Sequence, residues 1–263
     1  MLDPYPENRL ARVLLWSFGA LVLAFLILPT LIVVPISFSA SEMLEFPPRT
    51  FSLRWYSSFF GSTDWMAALR TSLILAGLTA VVSVPAAFLA CVAMDRLGGR
   101  VARGIYTFAV MPSVVPGILL AIGLFFVLAK LRLLGTLGGV LLGHIVLAIP
   151  VAVIVLYPSV RRFDWVQLQA ARSLGAGWGG GIIGIMLPQM TISLVSAALM
   201  AFLSSLDEAV ISIFVSGGAN TTLPKLMFIS LRDQIDPTIA AISTLWTGLV
   251  ISVVLVVAAR QKP

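Results

Sequence analysis

Apolar residues in this chain run in long blocks, and polar residues gather in the gaps between them. No block alternates with the period of a half-buried strand, so helices are the predicted elements. Six blocks reach the roughly 20 residues needed to cross a hydrocarbon core as a helix. They are residues 13–38, 67–94, 105–129, 138–160, 189–215 and 238–259. Pro29, Pro35, Pro85, Pro112, Pro116, Pro150 and Pro158 fall inside them. Prolines are tolerated in spans, where neighbouring helices and local backbone adjustment re-satisfy the freed groups. The expected fold is all-α, a single polytopic membrane domain with six transmembrane helices. Two polar gaps are long, residues 39–64 and 161–188. The first holds Trp55, Tyr56, Phe59 and Phe60, with Trp65 just beyond, and suits an interfacial helix at headgroup depth. The same aromatics fit either a belt alone or a surface that also receives an external partner.

Composition agrees. Of 263 residues, 59% are hydrophobic and 11% charged, against about 25% charged in soluble domains. The mean hydropathy is +1.05. The formal charge of +6 comes without a dense Lys/Arg run, so nucleic acid is not an expected partner and the bilayer is. Cys91 is the single cysteine, with no Cys/His cluster around it, so neither an intrachain disulfide nor a metal site is expected. The first block is too long for a cleavable signal core and reads as a retained span.

Cations set the orientation. Arg9, Arg12, Arg96, Arg100, Arg103, Arg161, Arg162, Arg172, Arg260 and Lys262 fall on one side; Arg49, Arg54, Arg70, Lys130, Arg132, Lys225 and Arg232 fall on the other. Ten against seven predicts both termini, and the 161–188 gap, in the cytoplasm.

That gap is longer than a turn needs. Asp164 is placed to cap a helix over 167–174, and Gly175 to end it in the left-handed conformation. Ala170 and Ala171 keep the helix slim. Gly177, Gly179, Gly180 and Gly181 make the next segment pliable or closely packed, and Pro188 sets the start of the fifth span.

Gln169-Ala170-Ala171, then Gly175, then Ile185-Met186-Leu187-Pro188 resembles the Glu-Ala-Ala-x3-Gly-x9-Ile-x-Leu-Pro loop of ABC importer permeases. The likeness extends to Met111–Gly117, Gly143–Pro150, Ser205–Glu208, Thr222–Pro224 and Asp236–Thr238. Together these resemble the spermidine/putrescine-type branch of the type I, binding-protein-dependent permeases, particularly its C-type subunit. The resemblance implies an inner-membrane permease whose 161–188 elbow docks on a cytoplasmic ABC ATPase dimer through Gln169, Ala170, Ala171, Arg172, Gly175, Ile185, Leu187 and Pro188. It also implies a second, different permease subunit and a periplasmic binding protein that delivers substrate, a polyamine or related cation. ATP and magnesium would bind the ATPase, not this chain, which is not expected to be an enzyme. One departure stands out: Gln169 replaces the family's acid, so an ion pair at that position is replaced by hydrogen bonding.

The residues agree that the motor lies elsewhere. Lys130, Lys225 and Lys262 are followed by Leu, Leu and Pro, so none completes a P-loop. Within the spans, Asp207, Glu208 and His144 are candidates to line a substrate path. His144 suits an interhelical hydrogen bond, and the two acids suit either contact with a cation or a structural pairing. An ion-coupled secondary transporter using these groups is the alternative, as is a permease for another solute such as an opine, an amino-acid derivative or a metal.

Overall fold

The apolar blocks form helices in the computed structural model, which describes residues 9–233 and 236–260. In chain order the helices are α1 (Arg9–Ser37), α2 (Arg54–Gly61), α3 (Thr63–Leu97), α4 (Gly99–Val110), α5 (Gly117–Lys130), α6 (Leu137–Arg162), α7 (Trp165–Ser173), α8 (Trp178–Gly181), α9 (Leu187–Gln189), α10 (Thr191–Leu206), α11 (Val210–Val215), α12 (Leu223–Asp233) and α13 (Thr238–Arg260). The architecture is all-α; among the described residues the only extended pairing is an isolated bridge between Ser39 and Phe51. Lys262, one of the orienting cations, lies outside the described residues.

α1, α3 and α6 are each long and apolar enough to cross a bilayer. α1, α3 and α6 absorb Pro29, Pro35, Pro85, Pro150 and Pro158 without interruption. Two expected spans are not single helices. The block 105–129 breaks at a 3-10 turn, Met111–Ser113, and the helices on either side are bent by 99°. Two prolines are the cause. Pro112 removes an amide and Pro116 disfavours helical geometry at Val115, while Ser113 Oγ donates to the Val110 carbonyl at 2.7 Å. The block 189–215 also breaks. α10 runs only from Thr191 to Leu206, and α11 restarts at Val210 after Asp207-Glu208-Ala209. Pro188 therefore does not open the span; it sits in α9, ahead of an 80° bend into α10.

The chain divides into two units, Thr63–Ile229 and the flanking Met1–Ser62 with Ser230–Pro263. In the flanking unit α1 and α2 pack against α13. Tyr56 and Ser37 join their hydroxyls at 2.7 Å, and Trp55 and Phe59 are buried. Trp16, Phe18 and Phe25 on α1 are exposed, as a lipid-facing helix requires.

In the larger unit α3, α6 and α10 pack on one another. Their contact is built from small residues, Ala87, Cys91, Ala148, Ala152, Ala197 and Ala201, all fully buried. Small side chains let backbones approach closely where lipid removes the hydrophobic drive to associate. A second core, around Leu75, Ala121, Val140, Ile211 and Val215, joins α5 and α11 to the other ends of α3 and α6. Lys225 Nζ donates to the carbonyls of Ile213 and Ser216 and so closes the end of α11.

Candidate functional site

The elbow 161–188 is a built structure. Its first helix, α7, covers Trp165–Ser173, two residues earlier at its start than the predicted 167–174. Asp164 Oδ1 accepts the Val166 amide at 3.0 Å, the predicted cap. At the other end Gly175 takes φ +93°. Its amide donates to the Arg172 carbonyl and the Ala176 amide to the Ala171 carbonyl, both at 3.0 Å. This pair of bonds is the Schellman closure of a helix.

α7 has two unlike faces. Leu168 is buried in the α3–α6–α10 core, together with Met186 and Met190 from the far limb of the elbow. Gly181 lies against it so closely that a Cβ there would come within 3.2 Å of the Leu168 side chain. Val166, Gln169, Ala170, Ser173 and Leu174 are exposed. Gln189 Nε2 donates to Gln167 Oε1 at 2.6 Å and ties the two limbs. Beyond α8, Ile182–Met186 winds as a π-helical turn, a form that recurs at functional sites. Ile185 and Leu187 are half-buried there and pack on the core, whereas Pro188 is exposed.

Four residues fasten the elbow to α3, of which sequence reasoning named only Arg96, and that as an orienting cation. Trp165 Nε1 donates to Asp95 Oδ2 at 2.6 Å. The Arg96 guanidinium lies 5.0 Å from the Trp165 ring and 5.2 Å from the Trp178 ring. Arg172 also approaches this cluster, 5.9 Å from the Trp178 ring. Two tryptophans in a polar segment, and an Asp-Arg pair at the end of an apolar block, were the available signals. Their pairing across 70 residues was not.

The intramembrane candidates have different surroundings and hydrogen-bond partners. His144 is 2% exposed, with Nδ1 2.7 Å from Ser205 Oγ and Nε2 3.1 Å from Ser212 Oγ. Ser205 in turn donates to Thr79 Oγ1 at 3.3 Å. Glu208 Oε1 accepts the Ile211 amide at 2.7 Å and caps α11. Asp207 is exposed at the end of α10. The histidine thus binds α6 to α10 and α11, one acid is a helix cap, and the other faces outward.

Residues 83–262 match the family of binding-protein-dependent transport system inner membrane components. The chain belongs to that family. The match covers both the elbow and the α3–α6–α10 core that holds it. This permease is 33% identical to the putrescine transport system permease protein PotI of Escherichia coli K12, over 89% of its own length and 86% of the relative's. It is 28% identical to the spermidine/putrescine transport system permease protein PotC of the same strain, covering 95% and 94%. With PotC of Haemophilus influenzae the figures are 30%, 92% and 93%. Among solved structures, a bacterial ABC transporter involved in import of the acidic polysaccharide alginate aligns with TM-score 0.68 at 15% identity. The alignment covers 99% of this chain and 100% of that one, which establishes the shared fold. The permease is accordingly a multi-pass inner-membrane subunit of an ABC importer.

Proposed function

We propose that this permease carries a polyamine or a related small cation, that a periplasmic binding protein delivers it, and that a separate ATPase dimer drives the cycle through the elbow 161–188. A second, different permease completes the path, and both termini of this chain lie in the cytoplasm. The observation that carries the coupling role is the two-faced α7, with Leu168 buried in the core and Gln169, Ala170 and Leu174 exposed. A helix anchored on one side and free on the other transmits a push from a partner without bending. The indole–carboxylate bond from Trp165 to Asp95 would carry the same push into α3. Substrate class rests on the polyamine names of relatives that align along most of the chain. Asp207, exposed while Glu208 caps α11, is the acid left to meet a cation.

An ion-coupled mechanism draws little support from the intramembrane groups, because both His144 ring nitrogens face serine hydroxyls. The test is reconstitution with the ATPase, the second permease and the binding protein. Putrescine-loaded binding protein should stimulate ATP hydrolysis, and uptake should stop without ATP. Uptake of putrescine by this chain alone under an ion gradient would overturn the coupling role. Stimulation by an opine but not by putrescine or spermidine would overturn the substrate.

A further inference from the structure

The far limb of the elbow has little of its own to hold it. α8 reads Trp178-Gly179-Gly180-Gly181, so Trp178 is its only side chain. A Cβ at Gly179 or Gly180 would meet nothing within 4 Å; of the three glycines only Gly181 lies against a neighbour, the Leu168 side chain of α7. Glycine loses more backbone freedom on ordering than any other residue, so such a segment is loose unless something outside it fixes it. Yet α8 leads directly into the Ile182–Met186 turn and, past α9, into α10. Whatever holds Trp178 therefore sets where this limb enters the spans.

Arg96, in the last turn of α3, is placed to hold it. Its guanidinium lies 5.2 Å from the Trp178 ring and 5.0 Å from the Trp165 ring. Both distances fall within the roughly 6 Å over which an indole face attracts a cation. Trp165 is the first residue of α7 and Trp178 the first of α8, so one cation meets the start of both elbow helices. The two rings stand 6.4 Å apart at 45°. Trp178 is 37% exposed, so most of that one side chain is covered. Arg172 reaches the same ring but belongs to α7 and cannot join the limb to α3. Asp95 takes the Trp165 indole and holds α7 alone. Among the described residues Arg96 has no carboxylate within ion-pair distance; the pairs formed are Arg54–Glu42 and Arg232–Asp233. Its charge is left to the two rings.

We infer that Arg96 is a positioning residue for coupling: its guanidinium, shared by Trp165 and Trp178, ties both limbs of the elbow to the end of α3, so that α3, α7 and α8 move together. The inference deepens the coupling role proposed above and rests on it. Arg96 acts through two indoles, and touches neither substrate nor ATPase.

The test uses the full transporter in proteoliposomes, with the second permease, the ATPase and putrescine-loaded binding protein. An exposed guanidinium–indole contact favours the joined state by about two- to fivefold, and here two are lost together. Arg96→Met removes the charge and should lower putrescine uptake per ATP hydrolysed by about fivefold, with the ATPase still retained and still hydrolysing ATP. Arg96→Lys keeps a cation but not the planar stack, and should recover part of the loss. Arg100→Met removes an exposed cation of α4 and should change nothing. Labelling with 5-fluorotryptophan reads the contact itself, because the chain has six tryptophans. In the fluorine spectrum of the full chain in detergent, Arg96→Met should move the Trp165 and Trp178 resonances and leave those of Trp16, Trp55, Trp65 and Trp246 in place. Wild-type uptake per ATP in Arg96→Met, no recovery in Arg96→Lys, or a Trp178 resonance that stays in place would overturn the inference and leave the coupling role standing. Movement of all six resonances would also overturn it, by showing a general loosening of the fold. Uptake by the wild type without ATP would overturn both.

Discussion

Gly175 is the residue on which the elbow's turn depends. At φ +93° a side chain meets its own backbone, a cost of about 1–2 kcal/mol for most residues. Asparagine tolerates left-handed geometry better than other non-glycine residues. Gly175→Val should therefore loosen the turn and cut ATP-driven uptake, and Gly175→Asn should recover most of the loss. Uptake into proteoliposomes decides it, and equal activity in both variants would show that the turn is not limiting. Asp95 and Trp165 make a second, separable case. Their bond joins an indole donor to a carboxylate, and charged hydrogen bonds contribute about 1.5–3 kcal/mol. A double-mutant cycle of Asp95→Leu and Trp165→Phe, read by thermal unfolding in detergent, should show coupling of that order. Additive effects would mean that the contact does not hold the elbow. Gln169 is different again. Its side chain is exposed, so Gln169→Glu should leave unfolding within about 0.5 kcal/mol and act only on docking.

At the scale of elements, the informative features are the breaks. Five prolines sit inside continuous helices, and Pro112 and Pro116 do not. Hydropathy cannot separate the two cases, because it records apolar content and not backbone direction. The difference lies in local chemistry: two prolines four residues apart, with a serine between them bonding back to Val110. The interruption at Asp207–Ala209 was partly legible, since adjacent acids are costly inside a span. Their division of labour was not, because it depends on α11 presenting its amides to Glu208. His144 belongs here as well, as the pin between α6, α10 and α11. His144→Phe would leave Ser205 only its bond to Thr79 and would remove the imidazole partner of Ser212, costing about 1–3 kcal/mol for a buried group left unpaired. His144→Gln can still donate and accept. It should retain uptake with an unaltered pH profile, whereas a proton relay through the imidazole would lose its pH dependence in that variant.

For the molecule as a whole, the question is how a docking face and a membrane core are made one body. The residues within the elbow were readable in the sequence because capping, the left-handed turn and the slim alanine face are local. The anchoring was not, because Leu168, Met186 and Trp165 meet α3, α6 and α10 only through the tertiary fold. That separation predicts a split between two substitutions six residues apart. Leu168 is 2% exposed, so Leu168→Ala leaves a cavity in the core and should destabilise by about 2–5 kcal/mol. Its outer face would be intact, so the ATPase should still be retained while uptake per ATP hydrolysed falls. Leu174 is 89% exposed, and Leu174→Ser should leave thermal unfolding unchanged while weakening retention of the ATPase. The two measurements, retention by pull-down and uptake per ATP, should move independently. If both variants lose retention together, α7 docks and anchors through one shared surface, and a lever with two faces is the wrong description.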